Sequence, residues 1–139
     1  MEHAFSFCNA AVMPGWICLA AAPTWRHTRK LVFGGVCVNA VFYVVMFATT
    51  KFEMSVASLS SLQGIRELFQ GADAPLHMAA WLHYLAFDLL VGLLEAEDGV
   101  KNGVPRAVVA PCLGLTLMAG PVGALSYGIA RQLFASKIK

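Results

Sequence analysis

Charge is what this sequence has least of. Only 13% of its 139 residues are Asp, Glu, Lys or Arg and 58% are hydrophobic, where soluble chains average about 25% and 45–50%. A soluble domain of this size could not bury that much apolar surface. No run of cations exists: the ten basic residues are dispersed except for Arg26, Arg29 and Lys30, which excludes the electrostatic footprint of a nucleic-acid binder. No CxxC pair exists either. Cys8, Cys18, Cys37 and Cys112 all fall in apolar stretches, which argues against zinc or a disulfide framework and for small buried thiols. His77 and His83 are too far apart in sequence to share a metal on one helix face, so no metal site is expected. A phosphate loop and a nucleophile arrangement of Ser, Cys and His are also missing, and the chain is too short for the inverted repeats of a usual secondary transporter.

What the sequence does have is long uncharged windows. Ala4 to Trp25, Leu31 to Thr50 and Ala107 to Ala130 carry no Asp, Glu, Lys or Arg, and Ala74 to Leu94 carries only Asp88. Each reaches the roughly 20 residues, at about 1.5 Å per residue, that a hydrocarbon core of about 30 Å requires. Helices in a soluble bundle need polar faces, which these windows lack. The first window is preceded by Glu2 and His3 rather than by a basic leader, and is expected to be a permanent helix rather than a cleaved signal. The expected fold is all-α: one integral membrane four-helix bundle over residues 1–139, with a short interfacial amphipathic helix.

The spans are expected at about 5–22, 31–49, 77–94 and 107–134. Pro23 ends the first, because proline disfavours helix at the residue before it. Thr24 to Lys30 then forms a tight connection in which Trp25, Arg26, Arg29 and Lys30 suit lipid headgroups or an acidic partner subunit. Gly34 and Gly35 allow close approach of a neighbour to the second helix. Between the second and third spans, Val56, Leu59, Leu62, Ile65 and Phe69 recur every three to four residues, the pattern of a helix lying in the headgroup plane over about 56–69. Pro75 opens the third helix. Glu95, Glu97, Asp98 and Lys101 read as a polar hairpin before Gly103 and Pro105. The fourth helix is expected to kink near Pro121 and to pack through Ala119 with Gly123 and Ala124 with Gly128. Four crossings place both termini on one side. Arg26, Arg29, Lys30, Lys101 and Arg106 then face one side, and Lys51, Arg66, Arg131, Lys137 and Lys139 the other, so the cations do not orient the chain.

Chemistry concentrates in WLHYLAFD, Trp81 to Asp88, because an ionisable group at membrane depth is costly and faces protein or water rather than lipid. At about 100° per residue, His77, Trp81, Tyr84, Asp88 and Glu95 share one narrow arc, expected to point into the bundle. Asp88 has two readings. It is a structural carboxyl bonded to Tyr84, Asn9, Asn39 or a carbonyl freed near Pro121, or it is a proton donor to the polar end group of a hydrophobic ligand, with Tyr84 beside it. His83 falls on an outward arc with Phe87 and Leu90. It is a packing residue there, or an axial ligand to a tetrapyrrole magnesium or iron. Phe42, Phe47, Phe87 and Phe134 are expected to point outward, as lipid-facing residues or pigment contacts.

PTWRHTRK from Pro23 to Lys30, LSSLQGIRELF, AWLHYLAFDLLVG from Ala80 to Gly92, and GPVGALSY from Gly120 to Tyr127 follow one another over nearly the whole chain. In that order and spacing the chain resembles the abscisic-acid-deficient-type membrane proteins, a small four-helix family associated in plants with neoxanthin formation. The resemblance rests on Trp81, His83, Tyr84, Asp88 and Gly92, on Pro23, Trp25 and Arg29, and on Gly120, Pro121 and Gly123. After Gly92 the chain departs from the family pattern, running Leu93, Leu94, Glu95, Ala96 before Glu97 and Asp98. The resemblance implies a protein of the plastid thylakoid or envelope tied to xanthophylls. It also implies a cofactor-free isomerisation of a violaxanthin-type epoxide, with Asp88 as acid and Tyr84 nearby. The competing expectation is a non-catalytic subunit at the edge of a photosystem or antenna, holding carotenoid or chlorophyll through His83, Phe87 and Trp81. A carrier that hands over xanthophyll unchanged fits the same residues.

Overall fold

The computed structural model describes residues 1–51 and 56–135. Lys137 and Lys139, used in the cation count above, lie outside the described residues. Six helices are present among those described: α1 (Glu2–Ala21), α2 (Thr28–Thr49), α3 (Val56–Leu59), α4 (Leu62–Gly71), α5 (Ala74–Lys101) and α6 (Arg106–Ala135). Four of them, α1, α2, α5 and α6, are long and apolar enough to cross a membrane. The boundaries move from those expected. α5 runs on to Lys101 because the acidic residues assigned to a polar hairpin find partners along it: Asn102 and Arg131 reach Asp98, and Arg29 pairs with Glu97 at 2.6 Å. The expected interfacial helix is split at Ser61, whose extended backbone (φ −136, ψ 149) and side chain cap α4 by accepting from the Gly64 N–H at 3.0 Å.

α1 and α5 touch each other, and each touches both α2 and α6, which flank the pair. Lipid tails supply no hydrophobic drive between helices, so the bundle depends on close approach. Gly35 rather than Gly34 provides it: a Cβ at Gly35 would stand 2.9 Å from the Ala11 carbonyl oxygen, whereas Gly34 faces open space. Gly92 accepts the Trp16 ring in the same way, with the ring 2.6 Å from the position a Cβ would take. Around these contacts pack Val12 and Leu19 of α1, Val32 of α2, Leu89 and Leu93 of α5, and Val109 and Leu113 of α6. Of the cysteines expected to be buried thiols, Cys8 and Cys112 are buried, Cys18 is intermediate and Cys37 is exposed.

Asp73 closes the connection between α2 and α5. The Lys51 N–H (2.9 Å), the Thr50 hydroxyl (2.7 Å) and the Leu76 N–H (3.0 Å) all donate to its carboxylate. These bonds, the Lys51 N–H foremost, hold its carboxyl below the ordinary range. A lowered folded value stabilises the closed connection above the ordinary carboxylate value, and that contribution is lost as pH falls through the folded value. In micelles the Lys51 amide resonance is therefore expected to titrate with a midpoint below the ordinary Asp value of about 3.9. A midpoint at or above that value contradicts the contact.

α6 departs most from expectation, because it is not one straight span. Ala119 leaves the helical region (φ −154, ψ 55), and Pro121 two residues later has no N–H to donate. Before the break, Val109 packs 2.9 Å from the Cβ position of Gly99, Thr116 bonds to Glu95, and Gly120 lies against Asp88, so this half runs antiparallel to α5. After it, the Tyr127 hydroxyl returns to 3.6 Å from the same Gly99 position, and Tyr127 and Arg131 each place a donor 2.6 Å from Asp98 Oδ2. In a straight helix Val109 and Tyr127 would stand about 27 Å apart. Here both flank Gly99, so the second half doubles back along α5. Gly123 is pressed onto the Thr116 backbone of the first half, where any Cβ would overlap it. Gly123 thus packs within α6 itself, and Gly128, expected to pack with Ala124, faces open space. The chain at Arg131 lies beside the C-terminal end of α5, at the end of the bundle opposite Met1, whereas a straight α6 would have carried it to the Met1 end.

Candidate functional site

Asp73 caps α5, and Pro75 takes a position in its first turn, where the missing N–H costs nothing. The 28-residue helix then carries Asp88 near its midpoint. Asp88 is half-buried and its carboxylate occupies the space that a Cβ at Gly120 would need. Glycine at 120 is therefore what lets the carboxylate meet the break in α6. The second half of α6 begins here, with Pro121 in its opening turn. The start of a helix carries unpaired N–H groups and the positive end of its dipole.

Among the described residues no group hydrogen-bonds Asp88. The partners expected for it are engaged elsewhere. Asn9 donates to the Phe5 carbonyl at 2.8 Å and accepts from Trp81 Nε1 at 3.2 Å, and Asn39, fully buried, donates to the carbonyls of Cys8 and Gly35. Tyr84, expected to point inward with Trp81, is 60% exposed and Trp81 is 45% exposed. The reason lies in α6. By reversing at Ala119 it covers only the C-terminal half of α5 and leaves the face of Trp81 and Tyr84 open above the reversal. The upper end of this face joins a groove of about 340 Å³ between α1 and α5, lined by Met1, Glu2, Phe5, His77, Met78 and Trp81.

Below the reversal the same face of α5 is sealed. Glu95, two turns after Asp88, is only 4% exposed and accepts from Thr116 Oγ1 at 2.8 Å, while its other oxygen has no partner among the described residues. Thr116 is fully buried and its hydroxyl also stands 3.0 Å from the Cys112 carbonyl, so one proton serves two acceptors. Further down, Asp98 gathers Tyr127, Arg131 and Asn102 and ties the returning half of α6 to α5. Glu95 shares the arc that the sequence assigns to Asp88, whereas Thr116, Asp98, Tyr127 and Arg131 are absent from the sequence-based site. The seven-residue step from Asp88 to Glu95 and the lone cation Arg131 in an apolar segment were the signals for them.

On the opposite arc His83 is exposed. Its ring stacks on Phe87 at 4.4 Å and lies 6.1 Å from Tyr43, which stacks on Phe47 at 5.7 Å. In the first connection Trp25 packs edge-on to His27, Arg26 donates to His27, Arg29 pairs with Glu97 across the bundle end, and Lys30 is exposed. Arg106 donates to the Ala20 and Ala21 carbonyls, satisfying the C-terminal end of α1.

A family model described as ABA DEFICIENT 4-like matches residues 3–127, nearly the whole described chain. No curated protein and no solved structure matches it.

Proposed function

The chain belongs to the ABA DEFICIENT 4-like family and so has a xanthophyll-related role, and we propose that it seats a xanthophyll end group in the notch above the α6 reversal, with Asp88 as the acid that opens its epoxide. One observation carries this reading. A half-buried carboxyl at the middle of a membrane-long helix lies against Gly120 at the break in α6, has no hydrogen bond among the described residues, and sits one to two turns from the exposed Tyr84 and Trp81; an intramembrane acid of that kind marks a functional site by default.

The reaction this geometry suits needs no redox cofactor. The Asp88 O–H donates to the epoxide oxygen, the bond from that oxygen to the polyene-bearing carbon breaks, and the conjugated chain spreads the resulting cation. The Asp88 carboxylate then takes the proton from the neighbouring carbon, whose C–H electron pair becomes the second double bond of an allene. One proton enters at oxygen and one leaves carbon, so Asp88 ends as it began. The helix end at Gly120 favours the carboxylate between the two steps, and the faces of Tyr84 and Trp81 favour the cation. Positioned proton transfer of this kind contributes about 10²–10⁴-fold.

Purified protein in its native lipids, given a violaxanthin-type epoxide, is expected to yield the allenic alcohol without any added cofactor. A second reading, a non-catalytic pigment-binding subunit, draws on the exposed stack of His83, Phe87, Tyr43 and Phe47. It requires carotenoid or chlorophyll to copurify and to be lost in His83→Leu. Copurified pigment without conversion favours that subunit, whereas conversion that survives His83→Leu favours the Asp88 site.

A further inference from the structure

The doubling back of α6 changes which residues share an end of the bundle. Arg26, Arg29, Lys30, Lys101 and Arg106 surround the connections at one end. Arg131, which a straight helix would carry to the other end, is bonded to Asp98 in the last turn of α5 and joins them. Among the described residues the opposite end keeps Lys51 and Arg66. Six cations against two is an asymmetry of the kind that orients membrane chains, the cation-rich end staying in the compartment from which the chain inserts.

The same reversal makes the flank of α5 unequal in depth. Towards the cation-rich end α6 buries Glu95, Gly99 and Tyr127. Towards the other end Trp81 and Tyr84 are uncovered, at 45% and 60% exposure. Non-helical backbone such as Ala119 is tolerated at membrane depth only where protein or a cavity receives it, and here the next residue, Gly120, is buried against Asp88.

We infer that α6 is a re-entrant hairpin rather than a fourth crossing, so that the notch at Asp88 opens to one leaflet only, the leaflet opposite the cation-rich end. The ligand is then an amphiphile with a long apolar body that enters sideways from that leaflet and brings one polar end group down to Asp88. The ligand chemistry rests on the proposed function, whereas the architecture does not.

Single cysteines placed at Thr24, Gln70 and Gln132 in a chain whose native cysteines are replaced by Ala, reconstituted in sealed vesicles, test it with a membrane-impermeant maleimide. Thr24→Cys and Gln132→Cys are expected to react from the same side and Gln70→Cys from the other. Gln132→Cys reacting with Gln70→Cys overturns the hairpin. Should the cysteine-free chain not fold, a complementing strand of a split fluorescent protein fused after Lys139 of the unaltered chain gives the same answer, by lighting up from the Thr24 side or from the Gln70 side.

The leaflet is read separately from Trp81 emission in Trp25→Phe protein, where Trp16 is shielded in the core. Brominated lipid confined to the Gln70-side leaflet is expected to quench it. Quenching only from the Thr24-side leaflet overturns the assignment. Labelling as expected without xanthophyll conversion or binding supports the architecture and removes the proposed function. Misplaced Gln132→Cys removes the architecture whatever the protein converts.

Discussion

Asp88→Asn is expected to insert, fold and keep bound lipid as the unaltered protein does, and to lose epoxide conversion by about 10²-fold or more. The amide is nearly isosteric and still fits against Gly120, where a Cβ would not, so the notch keeps its shape. What it loses is a proton acidic enough to protonate an epoxide. Because no group among the described residues bonds the carboxyl, the substitution strands none of them, and stability should change little. The comparison is a rate measured by product chromatography alongside thermal unfolding in detergent. Full activity in Asp88→Asn would remove the acid role, and a large stability loss would show that the carboxyl is structural.

Gly123→Val is expected to cost more stability than any surface change, about 3 kcal/mol or more, at the severe end of overpacking. A Cβ at 123 would fall on the backbone nitrogen and Cα of Thr116, and backbone cannot step aside as a flexible side chain can. The two halves of α6 would have to separate, which would open the buried Glu95–Thr116 bond and draw Tyr127 and Arg131 from Asp98. Gly128→Val, five residues on, faces open space and should be tolerated. If the two substitutions unfold alike under denaturant, or if Gly123→Val is neutral, the tight contact between the halves is wrong.

The sequence made the four apolar windows legible because charges so rarely enter them, and Pro23 and Pro75 marked helix ends for steric reasons that hold in any fold. It also placed Asp88 on the face that meets α6. It could not show which part of that face is covered. A 100° step per residue puts Trp81, Tyr84 and Asp88 on one arc, but whether an arc is buried depends on how far the neighbouring helix extends, and α6 stops at Ala119. The window from Ala107 to Ala130 is long enough for one span and equally apolar as two shorter re-entrant halves, so hydropathy alone cannot separate them. What separates them is pairwise. Gly123 needs the Thr116 backbone beside it, which seven residues of straight helix would hold about 10 Å away, and Arg131 needs Asp98, far back along the chain; no local periodicity encodes either contact. Glu95 opens an acidic run, which reads as a hairpin, and also falls on the inward arc of Asp88; the second reading holds, for Glu95 lies inside the bundle two turns after Asp88. The family resemblance drawn from the helix-three block and GPVGALSY holds over residues 3–127.

The open face above Asp88, the exposure of Trp81 and Tyr84, and the side on which Arg131 lies all follow from the reversal of α6. A spin-label distance between Ala107→Cys and Gln132→Cys in lipid nanodiscs reads it directly. A straight helix would hold these backbone positions about 37 Å apart, and the folded-back α6 is expected to bring them within about 25 Å. A narrow distribution centred near the longer distance would contradict the account.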